Sequence, residues 1–363
     1  MTTINQTFRI AVLPGDGIGP DVMAEGLKAL RAVEAKLAGV QFELREFSVG
    51  AGEYLQSGDP LPAATFEAIK EFDAILLGAM GLPNVRWPSG IEMTPQIDLR
   101  EKLDLYRGLR PIKLYHSNDT PLKKYSAGEI DLLIVRESTE GLFSSRLSQI
   151  PAGAQIATDT MKISRHTSER LFRAAFREAR KRRNLVSLID KANVLPSMAF
   201  FRGIFDEVSR EFPDVRTERI YVDAAALYLV QNPQRFDVMV TENMFGDILS
   251  DLTGGLVGGM GMAPSADIGD QYAVFQPSHG SAPDIAGQGI ANPTATILSV
   301  AMMLEWLDHD EAKRGATMIQ HAVEQVFSAP ENRTRDLARQ PENALTTQQM
   351  GDLIANAIAG VNR

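Results

Sequence analysis

Two aspartates four residues apart, Asp247 and Asp251, close the segment VMVTENMFGDILSD. On a helix they point the same way, and like charges at that spacing repel unless something cationic sits between them. A hard divalent ion, Mg²⁺ or Mn²⁺, is the obvious neutraliser, since it takes one or two carboxylates and leaves positions for water and substrate. A plainer reading stays open. The pattern puts Asp247 in a first helical turn, where a carboxylate stabilises the helix without any metal.

Several cations lie near apolar strands. Arg100 and Arg110 fall near the two ends of the helix-like LREKLDLYRGLRP, and Arg136 directly follows the strand LLIV. The planar fork of arginine matches a carboxylate with two hydrogen bonds. Three such forks with two aspartates suit a di- or tricarboxylate bound together with a metal. Lys191, directly after LVSLID, and Asp223, in YVDAAA, are further charges at strand ends. Such groups often point into the crevice of an α/β enzyme.

Two loops could meet a ligand through their backbone. In Gly15-Asp-Gly-Ile-Gly19-Pro20, close-set glycines stand between a strand and a helix whose N-terminus attracts anions. The spacing is not G-x-G-x-x-G and no acidic residue follows the second strand at the expected place, which excludes the dinucleotide fingerprint. A tight turn is the plain alternative. The stretch 279–292 (HGSAPDIAGQGIAN) lacks hydrophobic periodicity, and its small residues suit close contact with a flat ring. A lone His279 beside glycine reads first as a hydrogen-bonded loop residue.

The elements that must hold these groups follow from periodicity. Strands are expected at 8–13, 40–47, 74–77, 132–135, 185–189 and 236–240, and helices at 21–37, 62–70, 165–183 and 293–307. Continuous apolar strands alternating with helices indicate a parallel α/β sheet. Residues 81–97 read as a long Pro/Gly-rich loop, and the glycine-rich, uncharged 254–263 as a packing turn.

Composition excludes several classes. The 363 residues suggest about two domains. The hydrophobic share of 44% and charged share of 23% exclude wholesale disorder. A net charge of −9 repels phosphate backbones, so no nucleic-acid partner is expected. The arginine-rich 165–183 reads as a helix with a wet face opposite Leu171, Phe172, Ala175 and Phe176. The absence of cysteine excludes disulfides, thiolate metal sites and a Cys nucleophile. Neither a signal peptide nor a membrane span is expected, which makes cytoplasmic localisation the default.

Taken together, LPGDGIGP, LREKLDLYRGLRP, IVRESTEG, DKANVL, YVDAAA, TENMFGDILSD and HGSAPDIAGQGIANPTATILSVAMML resemble the metal-dependent β-decarboxylating dehydrogenases, the isocitrate/isopropylmalate dehydrogenase family. The resemblance spans essentially the whole chain. It implies a two-domain, non-Rossmann α/β fold with the active cleft between domains. One domain joins 1–105 to 258–363, and 106–257 builds a homodimer with shared active sites, with tetramers open. It implies NAD-dependent oxidation, with decarboxylation, of a (2R)-malate-type hydroxy-dicarboxylate. The 3-isopropylmalate reading leads, with tartrate, D-malate or isocitrate as alternatives.

Position by position, Arg100, Arg110 and Arg136 resemble the carboxylate clamps. Asp247 and Asp251 resemble metal ligands for Mg²⁺ or Mn²⁺, completed by Asp223 of the other subunit. Lys191, also from that subunit, resembles the group that helps deprotonate the C2 hydroxyl, and Asn193 a contact to the nicotinamide end. The loop containing His279, Gly280, Ser281, Ala282, Asp284, Ile285 and Asn292 resembles the adenosine-binding loop. Asp284 and Ile285 stand where NADP-using members place Lys and Tyr, so the resemblance implies NAD.

Two departures matter. The family's tyrosine seven residues after the arginine of VRE is Phe143 here, and no tyrosine occurs between Tyr125 and Tyr221. Phenylalanine cannot give a proton to an enolate. Water, Ser144 or Ser145 takes over, or decarboxylation is incomplete, or the partner lysine suffices. A catalytically impaired, non-enzymatic subunit is the alternative of another class. The C3 pocket is also mixed, with Met93 and Ile97 beside Thr94 and Gln96. The inserted PNVRWPSG adds Arg86 and Trp87, which read as solvated loop residues or reach the substrate.

Overall fold

The computed structural model describes residues 6–360. Residues 1–5, part of the N-terminal stretch read as lacking a signal peptide, and 361–363 lie outside the described residues. Ten strands form one sheet: β1 (Gln6–Gly15), β2 (Val40–Glu46), β3 (Ala74–Ala79), β4 (Arg107–Lys113), β5 (Asp131–Glu137), β6 (Leu185–Asp190), β7 (Arg216–Tyr221), β8 (Val238–Thr241), β9 (Pro264–Ile268) and β10 (Ala273–Pro277). Their order is β2-β1-β3-β10-β9-β4-β5-β8-β6-β7. The helices are α1 (Gly19–Glu34), α2 (Ala51–Ser57), α3 (Ala63–Ile69), α4 (Pro95–Lys102), α5 (Arg165–Arg180), α6 (Pro196–Ser209), α7 (Val222–Gln231), α8 (Asn243–Leu256), α9 (Thr294–Trp306), α10 (Asp310–Ser328) and α11 (Thr347–Ala359).

The expectation of a purely parallel sheet needs correction. Both flanks are parallel, but β10–β9, β9–β4 and β4–β5 pair antiparallel. The tight return between β9 and β10, closed by Gly269 N–H donating to the Tyr272 carbonyl at 2.9 Å, leaves no room for a crossover helix. The segment 99–111 is likewise not one helix. It ends α4 and enters β4, so Arg100 comes from a helix and Arg110 from a strand.

Four main hydrophobic clusters pack the sheet. Two draw their buried members from residues up to 105 and from 262 onward, and two from 112–257. In one of the latter, α5 and α6 interlock through Phe172, Phe176, Phe201 and Phe205. Three arginines of α5 are tied down by acids, Arg165 by Glu207, Arg173 by Glu211 and Arg180 by Asp214, and Arg182, just past its end, by Asp131 and Asp237. Among the described residues no helix is long and apolar enough to cross a membrane.

Helix α8 starts one turn earlier than a first-turn Asp247 requires. Its N-cap is Glu242, whose buried carboxylate accepts from Phe245 N–H at 2.6 Å and Met244 N–H at 3.1 Å. Asp247 therefore has no capping duty. Removing the cap in Glu242→Ala is expected to lower stability by about 1–2 kcal/mol, readable as a lower midpoint in thermal or denaturant unfolding.

Candidate active site

A cavity of about 150 Å³ opens where the ends of β3 and β10 meet α4, β4, β5 and α8. Arg100, Arg110 and Arg136 line it with Gln96, Asp247, Asp251 and His279. The three arginines come from separate elements, and each is held by a neighbouring group. Arg100 Nε donates to Asp267 Oδ2 at 2.9 Å, and an Arg110 terminal nitrogen donates to Asp267 Oδ1 at 3.1 Å. Arg136 donates twice to Asn243 Oδ1, at 2.9 and 2.7 Å, and once to Asp247. Its stem runs close over α8, where a Cβ on Gly246 would lie 2.6 Å from Arg136 Cγ. Any larger residue there would push the clamp out of place.

Burial pushes Arg136 down to about 10, with Arg100 adding repulsion and Asp247 opposing it. Burial also lowers Arg110. Both stay cationic at neutral pH. A desolvated guanidinium at the wall of a small cavity binds a carboxylate far more strongly than one in water.

Asp247 and Asp251 sit on one face of α8 and both line the cavity. Asp251 as a residue is exposed, but partial desolvation of its carboxyl at the cavity wall, and then the like charge of Asp247, hold it above the ordinary range. Oxygen donors already repelling one another fit a hard divalent cation. One chain supplies two of the three expected carboxylates. Asp223, in the first turn of α7, is exposed and instead pairs with Lys191 at 2.8 Å. Among the described residues no group of three or more His, Cys, Asp or Glu side chains is placed to hold a metal. Lys191, Asp223 and the exposed Asn193 therefore stand outside this cavity in a single chain. The Lys191 bond holds the Asp223 carboxyl below its ordinary value, so it is ionised at neutral pH.

The loop after β10 runs along the cavity's edge. His279 and Gly280 line it. His279 Nδ1–H donates to the Gly280 carbonyl at 2.9 Å, which leaves Nε2 as an acceptor, buried and without a partner. Burial lowers the His279 pKa, so the ring is neutral. Ser281 holds the loop in place, its hydroxyl donating to the Gly81 carbonyl and its own carbonyl accepting from Ile18 N–H at 2.8 Å. A Cβ on Gly17 (φ +59°) would lie 2.0 Å from that Ser281 carbonyl oxygen, so the early glycines are a turn that lets the two loops touch. Ala282 takes a positive φ of 36° beyond it. Ile285 packs against Ile18, Val22 and Ala291, while Asp284 is exposed. Asn292 is buried and anchors the loop's end, donating to Asp336 at 3.1 Å and accepting from Thr294 N–H at 3.0 Å.

Where α4 meets the cavity, Gln96 faces it with its Oε1 buried and unpartnered, and Thr94 sits at the N-cap of α4. Met93 is buried and, like Thr94 and Ile97, is not among the residues lining the cavity in a single chain. Arg86 pairs with Glu92 and Trp87 packs on Tyr54 of α2, and neither lines the cavity. Phe143 lies in a short 3₁₀ turn with the Arg136 guanidinium 5.4 Å from its ring centre. Ser144 donates to the Gly141 carbonyl at 2.8 Å and Ser145 to the Thr160 carbonyl at 3.1 Å. Asp267, Asn243, Ser250, Ser265, Gln276 and Ser278 were not among the expected site residues. The readable signal was Asp267, a lone acid in the otherwise uncharged PSADI, which burial obliges to find a cation.

The model of the family described as isocitrate/isopropylmalate dehydrogenase matches residues 9–354. The chain is 46% identical to the 3-isopropylmalate dehydrogenase of Thermotoga maritima, covering 97% of this chain and 99% of that protein. It is 44% identical to that of Aquifex aeolicus, over 88% and 89%. Among solved structures, isocitrate dehydrogenase from Methylococcus capsulatus superposes with a TM-score of 0.87 at 36% identity, covering 97% and 99% of the two chains. A β-decarboxylating dehydrogenase from Thermococcus kodakarensis gives 0.79 at 34%, over 97% and 96%.

Proposed function

The chain belongs to the isocitrate/isopropylmalate dehydrogenase family, and from that membership we propose that it oxidises a (2R)-malate-type hydroxy-dicarboxylate with NAD and a divalent metal, releasing CO₂. The 3-isopropylmalate type is the leading substrate. The observation that carries this reading is the convergence of Arg100, Arg110, Arg136, Asp247 and Asp251 on one cavity. The experiment is a panel of 3-substituted (2R)-malates in which NADH and CO₂ are followed separately. Metal- and NAD-dependent turnover of one member supports the reading, and no turnover of any sinks it.

The residues divide the work by their chemistry. Arg100, Arg110 and Arg136 bind and orient the substrate carboxylates. Asp247 and Asp251, with the partner's Asp223, would hold Mg²⁺ or Mn²⁺, whose Lewis acidity favours loss of the C2 hydroxyl proton and later CO₂. The partner's Lys191 receives that proton. His279 and Gly280, with Ser281, Ala282, Asp284, Ile285 and Asn292, form the NAD loop, and the partner's Asn193 meets the nicotinamide end. NAD supplies the acceptor for the C2 hydride.

This division needs two copies of the chain. Leu227 and Val230 on α7, with Ile248 on α8, are exposed apolar side chains near Asp223 or Asp247 in sequence, which fits a homodimer interface formed by 106–257. The clusters on either side of positions 105 and 258 support the two-domain division. A cytoplasmic enzyme, a dimer that can pair into a tetramer, completes the reading.

A second reading of the substituent has its own observation. Gln96 Oε1, Ser265 Oγ and Ser278 Oγ line the cavity buried and without partners. Unsatisfied buried polar atoms favour a substrate that bonds to them. Tartrate or D-malate therefore belongs in the panel beside isopropylmalate.

Cofactor choice gives a separate test. A carboxylate at Asp284 accepts from ribose hydroxyls and repels a 2′-phosphate. Asp284→Lys is expected to move the NAD-to-NADP ratio of kcat/KM by about 10-fold or more towards NADP. An unchanged ratio would remove Asp284 from the nucleotide site.

A further inference from the structure

We infer that Asp267 fixes the charge of the substrate cavity, so that it takes hydroxy-dicarboxylates and rejects hydroxy-tricarboxylates. The inference rests on the reading of this cavity as a carboxylate site. Asp267 lies on β9 with no exposed surface. Its Oδ2 accepts from Arg100 at 2.9 Å and from Gln276 at 2.7 Å, and its Oδ1 from Arg110 at 3.1 Å and Ser138 at 3.4 Å. Burial opposes its charge, but Arg100, Arg110 and Arg136 outweigh that and hold the carboxyl well below the usual range. It is an anion at any working pH.

The consequence is electrostatic. Arg100 and Arg110 share one counterion, and Arg136 has its own in Asp247. Arg100 and Arg110 thus bring two positive charges to the cavity against the one negative charge of Asp267, whether or not Asp247 is engaged elsewhere. Asp251 adds a further negative group at the same wall. A third carboxylate on a ligand would find Arg100 and Arg110 already half-neutralised by Asp267 and would sit in the field of that buried charge. Charge repulsion in a small, partly desolvated site falls off slowly with distance. A C3 substituent without charge escapes this penalty. Asp267 is a positioning residue, acting through the two arginines it holds.

The test uses the full-length protein with NAD and Mg²⁺. Inhibition or substrate constants are measured for D-malate and for isocitrate, and the ratio is compared between wild type and Asp267→Asn. The amide keeps the shape and one acceptor oxygen. Wild type is expected to bind the tricarboxylate at least about 10-fold more weakly, and the variant to narrow the ratio by about 10-fold. Asp267→Ser should move it in the same direction. If both ligands weaken equally and the ratio stays put, Asp267 only braces the arginines and the inference fails. If neither variant folds, the wild-type ratio still decides: equal binding of the two classes overturns the inference and leaves the carboxylate reading standing. Binding of neither class overturns both.

Discussion

Asp251→Asn is expected to lower kcat/KM by about 1,000-fold, roughly 4 kcal/mol of transition-state stabilisation, without loss of fold. The argument begins with what Asp251 does not do. It caps no helix, because Glu242 does that, and its carboxyl is raised by burial and by the Asp247 charge one turn away. A charge that the fold raises in energy and does not use leaves those oxygens available to a cation bound at the cavity. Removing that charge relieves repulsion, so the thermal midpoint of the metal-free variant should match or exceed that of wild type. Calorimetry with Mn²⁺ alone reads the other half, with the wild type giving a binding isotherm that the variant lacks. Unchanged activity and unchanged Mn²⁺ affinity would make Asp251 a solvated helix-face residue and remove the metal from α8.

Most of the elements were legible because their signals are local. The apolar runs of β3, β5, β6 and β8 and the stripe of α5 depend only on their own residues. The antiparallel centre was not legible, because β9 (PSADI) and β10 (AVFQP) are short and mix Pro, Ser, Asp and Gln with their apolar residues around a short return. Those residues read as loop until tertiary burial selects the strand. The arginines could be picked out one at a time, since a cation at a strand end is visible by itself. Their convergence was not visible, because Asp267 stands 167 residues from Arg100 and 157 from Arg110. The start of α8 was misplaced by the ordinary preference for Asp near a helix N-terminus, while the actual cap is a glutamate. Thr94 and Gln96 share a segment with Met93, yet only Gln96 lines the cavity. Met93 and Thr94 precede α4 and Gln96 lies in its first turn, so the place where the helix starts, and not residue type, decides which side chain faces in.

Phe143→Tyr is expected to raise CO₂ release and steady-state turnover together, by about 10- to 100-fold, the range a well-placed general acid supplies. After CO₂ leaves, the enol carbon must gain a proton, and the wild-type chain has little to offer there. Phe143 has no acidic hydrogen. The two hydroxyls that follow it in the chain are already committed, Ser144 to the Gly141 carbonyl, and Ser145 to the Thr160 carbonyl while accepting from Thr160 N–H. On the proposed mechanism, water or the partner's Lys191 is then the proton source, at a lower rate. The ring stands against Arg136, itself a wall of the cavity, so a para hydroxyl would enter a site with a fixed cation beside it. That cation favours the phenolate and so eases proton donation. The measurement follows NADH and CO₂ in the same reaction. If both rates rise, the missing hydroxyl limited the wild type. If KM alone changes, the aromatic ring serves only to seat Arg136, and protonation was never slow.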